Sequence, residues 1–408
     1  MEYRTAGESH GQGILALVEH FPAGITIDTQ LINAELKRRQ GGYGRGERQK
    51  IETDTVEIQT GIWRGLSTGA PITLWIKNRD HRIDTAPDIM QPRPGHADLA
   101  GSIKYNLPIR PIMERASARE TAGRVAAGAL AKQILRQRGI SVVGYVTSIG
   151  TFELPPLPLS LCESLCPSCS SWLKFTAENT KEAQRNNTAA QTVEQYGLSP
   201  EELLHRRNQS ELYTAFPEKD AELKKYIDSI AEAGDSVGGV IEIRVFGVPI
   251  GLGSHVQWCD KLDGKLAQAV MSIQAIKGVE IGLGFESART PGSAMHDPIG
   301  YDHHRDDGFV RKTNNAGGIE GGMSNGQPII LRAAMKPIPT LLKPLDSVDL
   351  TTKLPAPAVY ERSDVCAVPA ASVVVENVVA WEIARECLTI QSEKQSPVVS
   401  PSEAWFHL

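Results

Sequence analysis

His10 and His96 each sit in a short glycine-bearing segment, Gly7-Glu8-Ser9-His10-Gly11 and Arg93-Pro94-Gly95-His96-Ala97-Asp98. An imidazole on a turn where backbone can approach a ligand closely suits general acid–base chemistry, against the plainer reading of a solvent-facing histidine. The first segment also fits the nucleophile elbow of serine hydrolases, with Ser9 as nucleophile. That mechanism needs an earlier strand to build the oxyanion hole, and the sequence predicts none before residue 7. From Lys37 to Lys50, six cations face one acid on a glycine-rich loop that includes Arg39 and Arg45. The loop follows a predicted helix rather than a strand, so it is no dinucleotide fingerprint. Guanidinium forks there suit a phosphate or carboxylate, and the alternative is a solvated basic loop.

Three further segments point the same way. Arg115-Ala116-Ser117-Ala118-Arg119-Glu120-Thr121 opens an alanine-rich helix, whose first N–H groups are free either to bind an anion or to be capped by Ser117. The glycines of Gly317–Gly326, near Lys336-Pro337-Ile338-Pro339-Thr340, suggest backbone packed against a flat or phosphorylated ligand. Arg362-Ser363-Asp364 leads into an apolar run and, alone, reads as a surface ion pair. Cys162, Cys166 and Cys169 have the spacing of a radical-enzyme iron–sulfur site, but no glycine-rich cofactor motif or barrel pattern accompanies them. A structural metal or an incidental cluster is the alternative. His296, Asp297, His303 and His304 read as a polar loop before a metal site.

The elements that must position these residues are mixed α and β. Ile14–Glu19, Val56–Thr60, Ile72–Ile76 and Val237–Val245 read as strands, and the stretch 21–24 as a turn. Helices are predicted over Thr29–Arg39, Ala116–Arg138, Ala221–Ala233 and Lys261–Met271. Residues 155–215, rich in Ser, Cys and Pro and then in polar residues, read as a partly helical insertion hung on the outside. The 408 residues carry 43 Lys and Arg against 48 Asp and Glu, a net charge of −5, which argues against a nucleic-acid binder. No apolar run approaches the roughly 18 residues that span a bilayer, and the N-terminus lacks signal-peptide character, so a cytoplasmic protein is expected. Six cysteines in such a chain form no disulfide framework.

In order, the motifs closely resemble the chorismate synthase family. They are Thr5-Ala6-Gly7-Glu8-Ser9-His10-Gly11, Arg38-Arg39-Gln40-Gly41-Gly42-Tyr43-Gly44-Arg45, Arg93-Pro94-Gly95-His96-Ala97-Asp98, and Glu114-Arg115-Ala116-Ser117-Ala118-Arg119-Glu120-Thr121. Gly317–Gly326 and Arg362-Ser363-Asp364-Val365-Cys366-Ala367-Val368-Pro369 complete the set, which spans residues 5 to about 385 outside 155–215. The resemblance implies one large β-α-β sandwich domain over residues 1–390, with 155–215 inserted and 391–408 as a frayed tail. It implies a lyase that makes chorismate from 5-enolpyruvylshikimate 3-phosphate by 1,4-anti elimination of phosphate, the last step of the shikimate pathway. Reduced FMN is required, although the overall change is redox-neutral.

By motif, His10 resembles the histidine that protonates the leaving phosphate, and His96 the one that hydrogen-bonds or protonates the reduced flavin. Asp364 resembles the aspartate that works with the flavin in removing the C6 proton. The implied FMN contacts are Arg115, Ala116, Ser117, Gln274, Ala275, Gly321, Lys336, Pro337, Ile338, Pro339, Thr340 and Arg362. Arg39 and Arg45 match positions for substrate or NADP, and Ser9, Ser117 and Arg119 are further substrate neighbours. No metal, nucleic-acid or membrane partner is implied, and a homotetramer is. Whether NADPH reduces the flavin on this chain or a separate reductase does so stays open. Two departures stand out: Gln274 where many relatives have Asn, and the long 155–215 stretch. The non-enzyme alternative is a binding module that kept the pocket without turnover.

Overall fold

The computed structural model describes residues 1–46, 53–158, 198–303, 308–361 and 363–394, with side chains of the last segment to residue 389. Strands β1 (Glu2–Ala6), β2 (Gly13–Glu19), β3 (Val56–Thr60) and β4 (Ile72–Lys77) form an antiparallel sheet in the order β1-β2-β4-β3. A second antiparallel sheet holds β5 (Ser141–Ile149), β6 (Phe152–Glu153), β7 (Gly239–Phe246), β8 (Ile276–Ile281) and β9 (Ile329–Met335), in the order β8-β9-β7-β5-β6. Alternation decides which face is inward: Ile14, Ala16 and Val18 of β2 and Ile72, Leu74 and Ile76 of β4 are buried.

Among the described residues the α-helices of eight residues or more are α1 (Thr29–Gln40), α2 (Asp98–Tyr105), α3 (Ile109–Ala116), α4 (Thr121–Gln137), α5 (Pro200–Gln209), α6 (Asp220–Glu232), α7 (Leu262–Met271) and α8 (Val368–Lys394). Helix α4 packs on β2 and β4, α8 packs on β5 and β7, and the two helices pack on each other. Helix α8 is buried on nearly every side from Val368 to Ala384, as expected of an element with no solvent face. Small residues let α4 approach it closely. A Cβ on Gly128 would lie 2.3 Å from the Asn377 carbonyl oxygen, so only glycine fits at this crossing.

One carboxylate sits in the middle of this apolar helix. Glu376 accepts from Arg38 Nη2 of α1 at 2.8 Å, from Arg207 Nη1 of α5 at 2.9 Å, from the Lys132 ammonium of α4, and from the Gly144 N–H of β5 at 2.9 Å. Glu35 joins the network through Arg38 at 2.6 Å and Lys132 at 2.7 Å. Burial opposes ionisation of Glu376, but Arg38, Lys132 and Arg207 more than offset it and hold the carboxyl well below the usual carboxylate range.

Several expectations change. The strand β1 precedes residue 7; it pairs with β2 in register Glu2 to Glu19 through Ala6 to Leu15, although its polar alternation gave no apolar signal. The helix expected over Ala116–Arg138 is interrupted. Ala116 ends α3, Ser117 is extended at ψ 145°, a 3-10 turn covers Ala118–Glu120, and α4 begins at Thr121. The Ser117 hydroxyl accepts from the Arg119 N–H, a local bond that competes with helix continuation. Of 155–215, residues 159–197 lie outside the described residues. Residues 200–215 are not hung on the outside, because Leu203, Arg207, Leu212 and Ala215 are buried against the main fold. Helix α8 reaches Lys394, past the expected fraying point near 391, and 395–408 lie outside the described residues.

A Glu376→Gln substitution leaves buried Arg207 and half-buried Arg38 and Lys132 short of their counter-charge and should cost about 3–5 kcal/mol at pH 7, read from urea unfolding. The Glu376 carboxyl is depressed in the folded state. Its contribution is therefore fully present above the unfolded value of about 4.3 and is lost as pH falls toward the folded value. The gap between wild type and variant should narrow below about pH 4, and a constant gap would contradict the ionised state.

Candidate active site

A cavity of about 580 Å³ opens where the β1–β2 loop, the ends of α1 and α3, the loop before α2 and the start of α8 converge. Its size lies within the range of small-molecule sites. One wall carries His10, whose Nδ1 lies 2.9 Å from both Glu114 carboxylate oxygens and whose N–H donates to Glu114 Oε2 at 2.8 Å. Burial disfavours the Glu114 anion, but hydrogen bonds from His10 outweigh it and hold that carboxyl below its ordinary range.

The loop that carries His10 is pinned by Asn78, at the residue following β4. Its side-chain amide donates to the carbonyls of Glu8 and Ser9, each at 3.1 Å, and of Gly11 at 2.8 Å. Its Oδ1 accepts from Arg119 Nε at 2.8 Å, joining the loop to the 3-10 turn. Gly7 starts this tight loop at φ +101°, where a Cβ would lie 2.2 Å from the Gly13 carbonyl oxygen.

A second wall carries His96. Its Nδ1 lies 2.5 Å from Asp98 Oδ1, and Arg93 binds the same carboxylate through Nε at 2.8 Å and Nη2 at 3.1 Å. Asp98 is fully buried, yet hydrogen bonds from His96 and Arg93 hold its carboxyl far below the carboxylate range. A carboxylate so held only accepts, so Nδ1 is the donor and Nε2 is left for the cavity. Arg93 Nη1 also donates to the Thr340 hydroxyl at 3.3 Å.

The floor is cationic. Arg39 and Arg119 share buried Asp54: Arg39 Nη2 donates at 2.8 Å, and Arg119 Nη1 donates at 2.6 and 2.8 Å. Burial resists the Asp54 charge, but the two guanidiniums more than compensate and lower its carboxyl. Burial and Arg119 bring the Arg39 guanidinium down to about 10, against the pull of Asp54, so it stays cationic at neutral pH. Arg119 Nη2 and Arg39 Nε are buried and have no hydrogen-bond partner, which leaves donor capacity at the floor. Arg45 Nη1 meets Asp364 Oδ2 at 2.6 Å, and the Gly46 N–H donates to Asp364 Oδ1 at 2.7 Å. Asp364 is thus no surface pair. It is folded back onto the glycine-rich loop and lines the cavity.

The structure brings together Ser9, His10, Arg39, Arg45, His96, Ala116, Ser117, Arg119, Gln274, Ala275, Lys336, Ile338, Pro339, Thr340 and Asp364 around this cavity. Arg115, Pro337 and Gly321 do not line it. The Arg115 guanidinium instead donates to the carbonyls of Thr5 at 2.8 Å and Gly7 at 3.2 Å, and Gly321 sits at the turn of a separate hairpin. Arg362, His304, Cys162, Cys166 and Cys169 lie outside the described residues. Ser9 is no elbow nucleophile: its loop joins two antiparallel strands instead of a strand and a helix, and its hydroxyl is bonded to Ser117 Oγ at 3.2 Å. The Asp297 carboxylate holds its own loop, accepting from Thr313 Oγ1 at 2.5 Å and the N–H groups of Asn315 at 2.7 Å and Ala316 at 2.9 Å.

Sequence reasoning missed Asp54, Asn78, Glu114 and Asp98 as partners. Glu114 and Asp98 stood inside motifs already singled out. Asp54 and Asn78 carry no local signal, since their partners are distant in the chain.

The side toward Gln274 and Lys336 fits a flavin. Ile338, Pro339, Met335, Ala370 and Val374 supply apolar surface for a flat ring. Buried Gln274 Oε1 lacks a partner, while Gln274 Nε2 is held by Glu120 at 3.1 Å, so a polar edge is on offer. Ala275 adopts φ +68°, strained for a residue with a Cβ, and its carbonyl accepts from the Lys336 N–H at 2.9 Å. Burial and nearby Lys277 lower the Lys336 ammonium.

Removing Asp54 should leave Arg39 and Arg119 facing each other without a counter-ion. Asp54→Ala is expected to lose about 3–5 kcal/mol, and millimolar inorganic phosphate should restore more of its Tm than it adds to wild type. Equal phosphate effects on the two proteins would sink this account of the floor.

Comparison with known proteins agrees with this geometry. The family model described as chorismate synthase matches residues 1–388. The chorismate synthase of Geobacter metallireducens is 50% identical over 403 residues, covering 94% of this chain and 92% of that protein. That of Aquifex aeolicus is 48% identical over 400 residues, with 94% and 92% covered. A solved structure titled "Crystal Structure of Chorismate Synthase" superposes with a TM-score of 0.71 at 42% identity, covering 95% of this chain and 92% of that one. The chain belongs to the chorismate synthase family, lyases that complete the shikimate pathway in a flavin-dependent step.

Proposed function

We propose that the cavity carries out the 1,4-anti elimination of phosphate from 5-enolpyruvylshikimate 3-phosphate. The observation that supports this best is the convergence of two carboxylate-held histidines and Asp364 above a floor of arginines. The substrate carries a phosphate and two carboxylates, and Arg39, Arg45 and Arg119 answer those charges with forked donors. The C3–O bond to phosphate breaks, the C6–H bond breaks, and a new double bond closes the diene. His10 delivers a proton to the departing phosphate from Nε2. Asp364, oriented by Arg45 and Gly46, receives the C6 proton.

Ala116, Ser117, Gln274, Ala275, Lys336, Ile338, Pro339 and Thr340 would hold FMN in this reading, with Arg115, Pro337, Gly321 and Arg362 as the positions that resemblance adds. Reduced FMN, when bound, supplies the electron density that makes phosphate loss feasible, and the reaction remains redox-neutral. His96 Nε2 faces the same space and would hydrogen-bond or protonate the reduced flavin. Arg39 and Arg45 line the cavity itself, which favours substrate as their ligand over the nicotinamide nucleotide.

The reading extends to the layers and the assembly. We read the two sheets, with α4 packed on one and α8 on the other, as the family's β-α-β sandwich. We propose a cytoplasmic homotetramer; for association, the supporting observation is the large apolar side chains left exposed on the monomer, among them Ile103, Tyr105, Trp258 and Phe285. Light scattering should then give four times the 44.3 kDa chain mass, and a monomeric mass would refute the assembly.

The activity itself is tested anaerobically with substrate and dithionite-reduced FMN. Chorismate and phosphate should appear in equal amounts, whereas flavin binding without product would favour a silent binding module. His10→Ala and Asp364→Ala should each lower kcat by about a hundredfold to ten-thousandfold while leaving FMN affinity nearly unchanged. Wild-type turnover in either variant would remove that residue from the chemistry. Repeating the assay with NADPH and oxidised FMN separates self-reduction from dependence on another reductase.

A further inference from the structure

Glu114 is placed against the grain of its helix. It lies in the last turn of α3, where the macrodipole disfavours an anion, and its side chain is fully buried. Arg110, one turn earlier, stands 3.6 Å away and divides its attention with Glu361 at 3.5 Å and the Pro87 carbonyl. The principal partner of Glu114 is His10. The carboxylate takes the His10 main-chain N–H at 2.8 Å and contacts Nδ1 with both oxygens at 2.9 Å, while the Glu114 carbonyl accepts from the Ser9 N–H at 3.0 Å. On the other side of the loop, the His10 carbonyl accepts from the Ile83 N–H at 3.1 Å, so the residue is gripped from two elements. The charged groups facing the ring are Glu114 and Arg110 from α3, and Asp80 with its partner Arg82 from the segment after β4. Asp80 Oδ2 is 3.8 Å from Nε2, beyond hydrogen-bond reach.

We propose that Glu114 is the positioning residue of this site: it locks the His10 imidazole in the Nδ1–H tautomer, so that Nε2 is the atom presented to the ligand. An ionised carboxylate has no hydrogen to give, so a ring nitrogen between its two oxygens must carry the proton. The main-chain bond keeps the carboxylate in place beside the ring, so rotation that exchanged the two nitrogens would give up both Nδ1 contacts. The inference rests on the reading of His10 as the acid, but its test does not.

The experiment uses the full chain labelled with 15N-histidine, with His10→Ala to identify the His10 signals. In wild type the neutral ring should show a protonated Nδ1 and a bare Nε2. Glu114→Gln preserves size. Its one amide oxygen is claimed by the His10 N–H, which turns the amide nitrogen toward Nδ1 and should flip the tautomer to Nε2–H. As the acid, the ring must be the imidazolium, with Nδ1–H held by the Glu114 carboxylate and the transferable proton on Nε2. A Gln at 114 leaves a neutral Nε2–H ring that could give up its proton only as an imidazolate, so kcat should fall by about a hundredfold or more while KM stays within about twofold. Glu114→Asp, which restores the carboxylate, should regain the Nδ1–H signature and part of the rate. A wild-type ring with bare Nδ1, or an unchanged tautomer in Glu114→Gln, would overturn the proposal. A merely structural role would lower the amount of folded enzyme and leave the signature and the kcat of titrated sites unmoved, which also overturns it. If His10→Ala kept full turnover while the tautomer switched as expected, the lock would stand and only the acid reading would fall.

Discussion

Confining Arg39, Arg45, Arg93 and Arg119 around one small cavity is the constraint on which this structure turns. Two unit charges 4 Å apart at an effective dielectric near 20 interact by about 4 kcal/mol, so such a floor would repel itself open without fixed counter-charges. Each guanidinium therefore meets a carboxylate: Arg39 and Arg119 share Asp54, Arg93 holds Asp98, and Arg45 holds Asp364. The carboxylates come from the segment before β3, the first residue of α2 and the loop before α8. Neutralising the floor thus ties together parts of the chain that no local preference would join.

The two histidines exploit the same scheme with different partners. Asp98 is divided between His96 and Arg93, whereas Glu114 is bonded chiefly to His10. Away from the cavity, Glu376 repeats the pattern for structure alone, with three cations from three helices around one carboxylate in an apolar layer. Such pairs contribute little net stability compared with apolar packing, but breaking one is costly, so they specify a unique arrangement more than they strengthen it.

Most of the elements were legible because their signals are local. Alternation set β2 and β4, and the Ala-rich run set α4 apart from its first residues. The expected site residues were legible mainly as motifs, and the structure gathers His10, His96, Asp364 and the anion-facing arginines into one cavity. What escaped was non-local. Strand β1 has little apolar signal in its sequence and forms where β2 offers it a ladder and Trp381 a partner for Tyr3. Asp54 and Asn78 look like ordinary loop residues, since Arg39, Arg119 and the His10 loop reach them only after folding. The run over 200–215, which packs on the main fold through Leu203, Arg207, Leu212 and Ala215, misled by composition: Arg207 reads as a surface residue until Glu376 is seen to meet it.

The break at Ser117 shows why a propensity error can mark a site. A continuous helix over 116–138 would be favoured locally, since alanine dominates the run. It would also carry Arg119 on a regular helical face, away from the geometry that lets one guanidinium reach both Asp54 and Asn78. The Ser117 hydroxyl offers the Arg119 N–H another acceptor, the chain tightens into a 3-10 turn, and the guanidinium is delivered to the cavity floor. The lost helical bonds are the cost of that delivery, and Asp54 and Asn78 offset it with charge-assisted hydrogen bonds, roughly twice as strong as neutral ones. Local preference thus yields where a buried cation must be aimed.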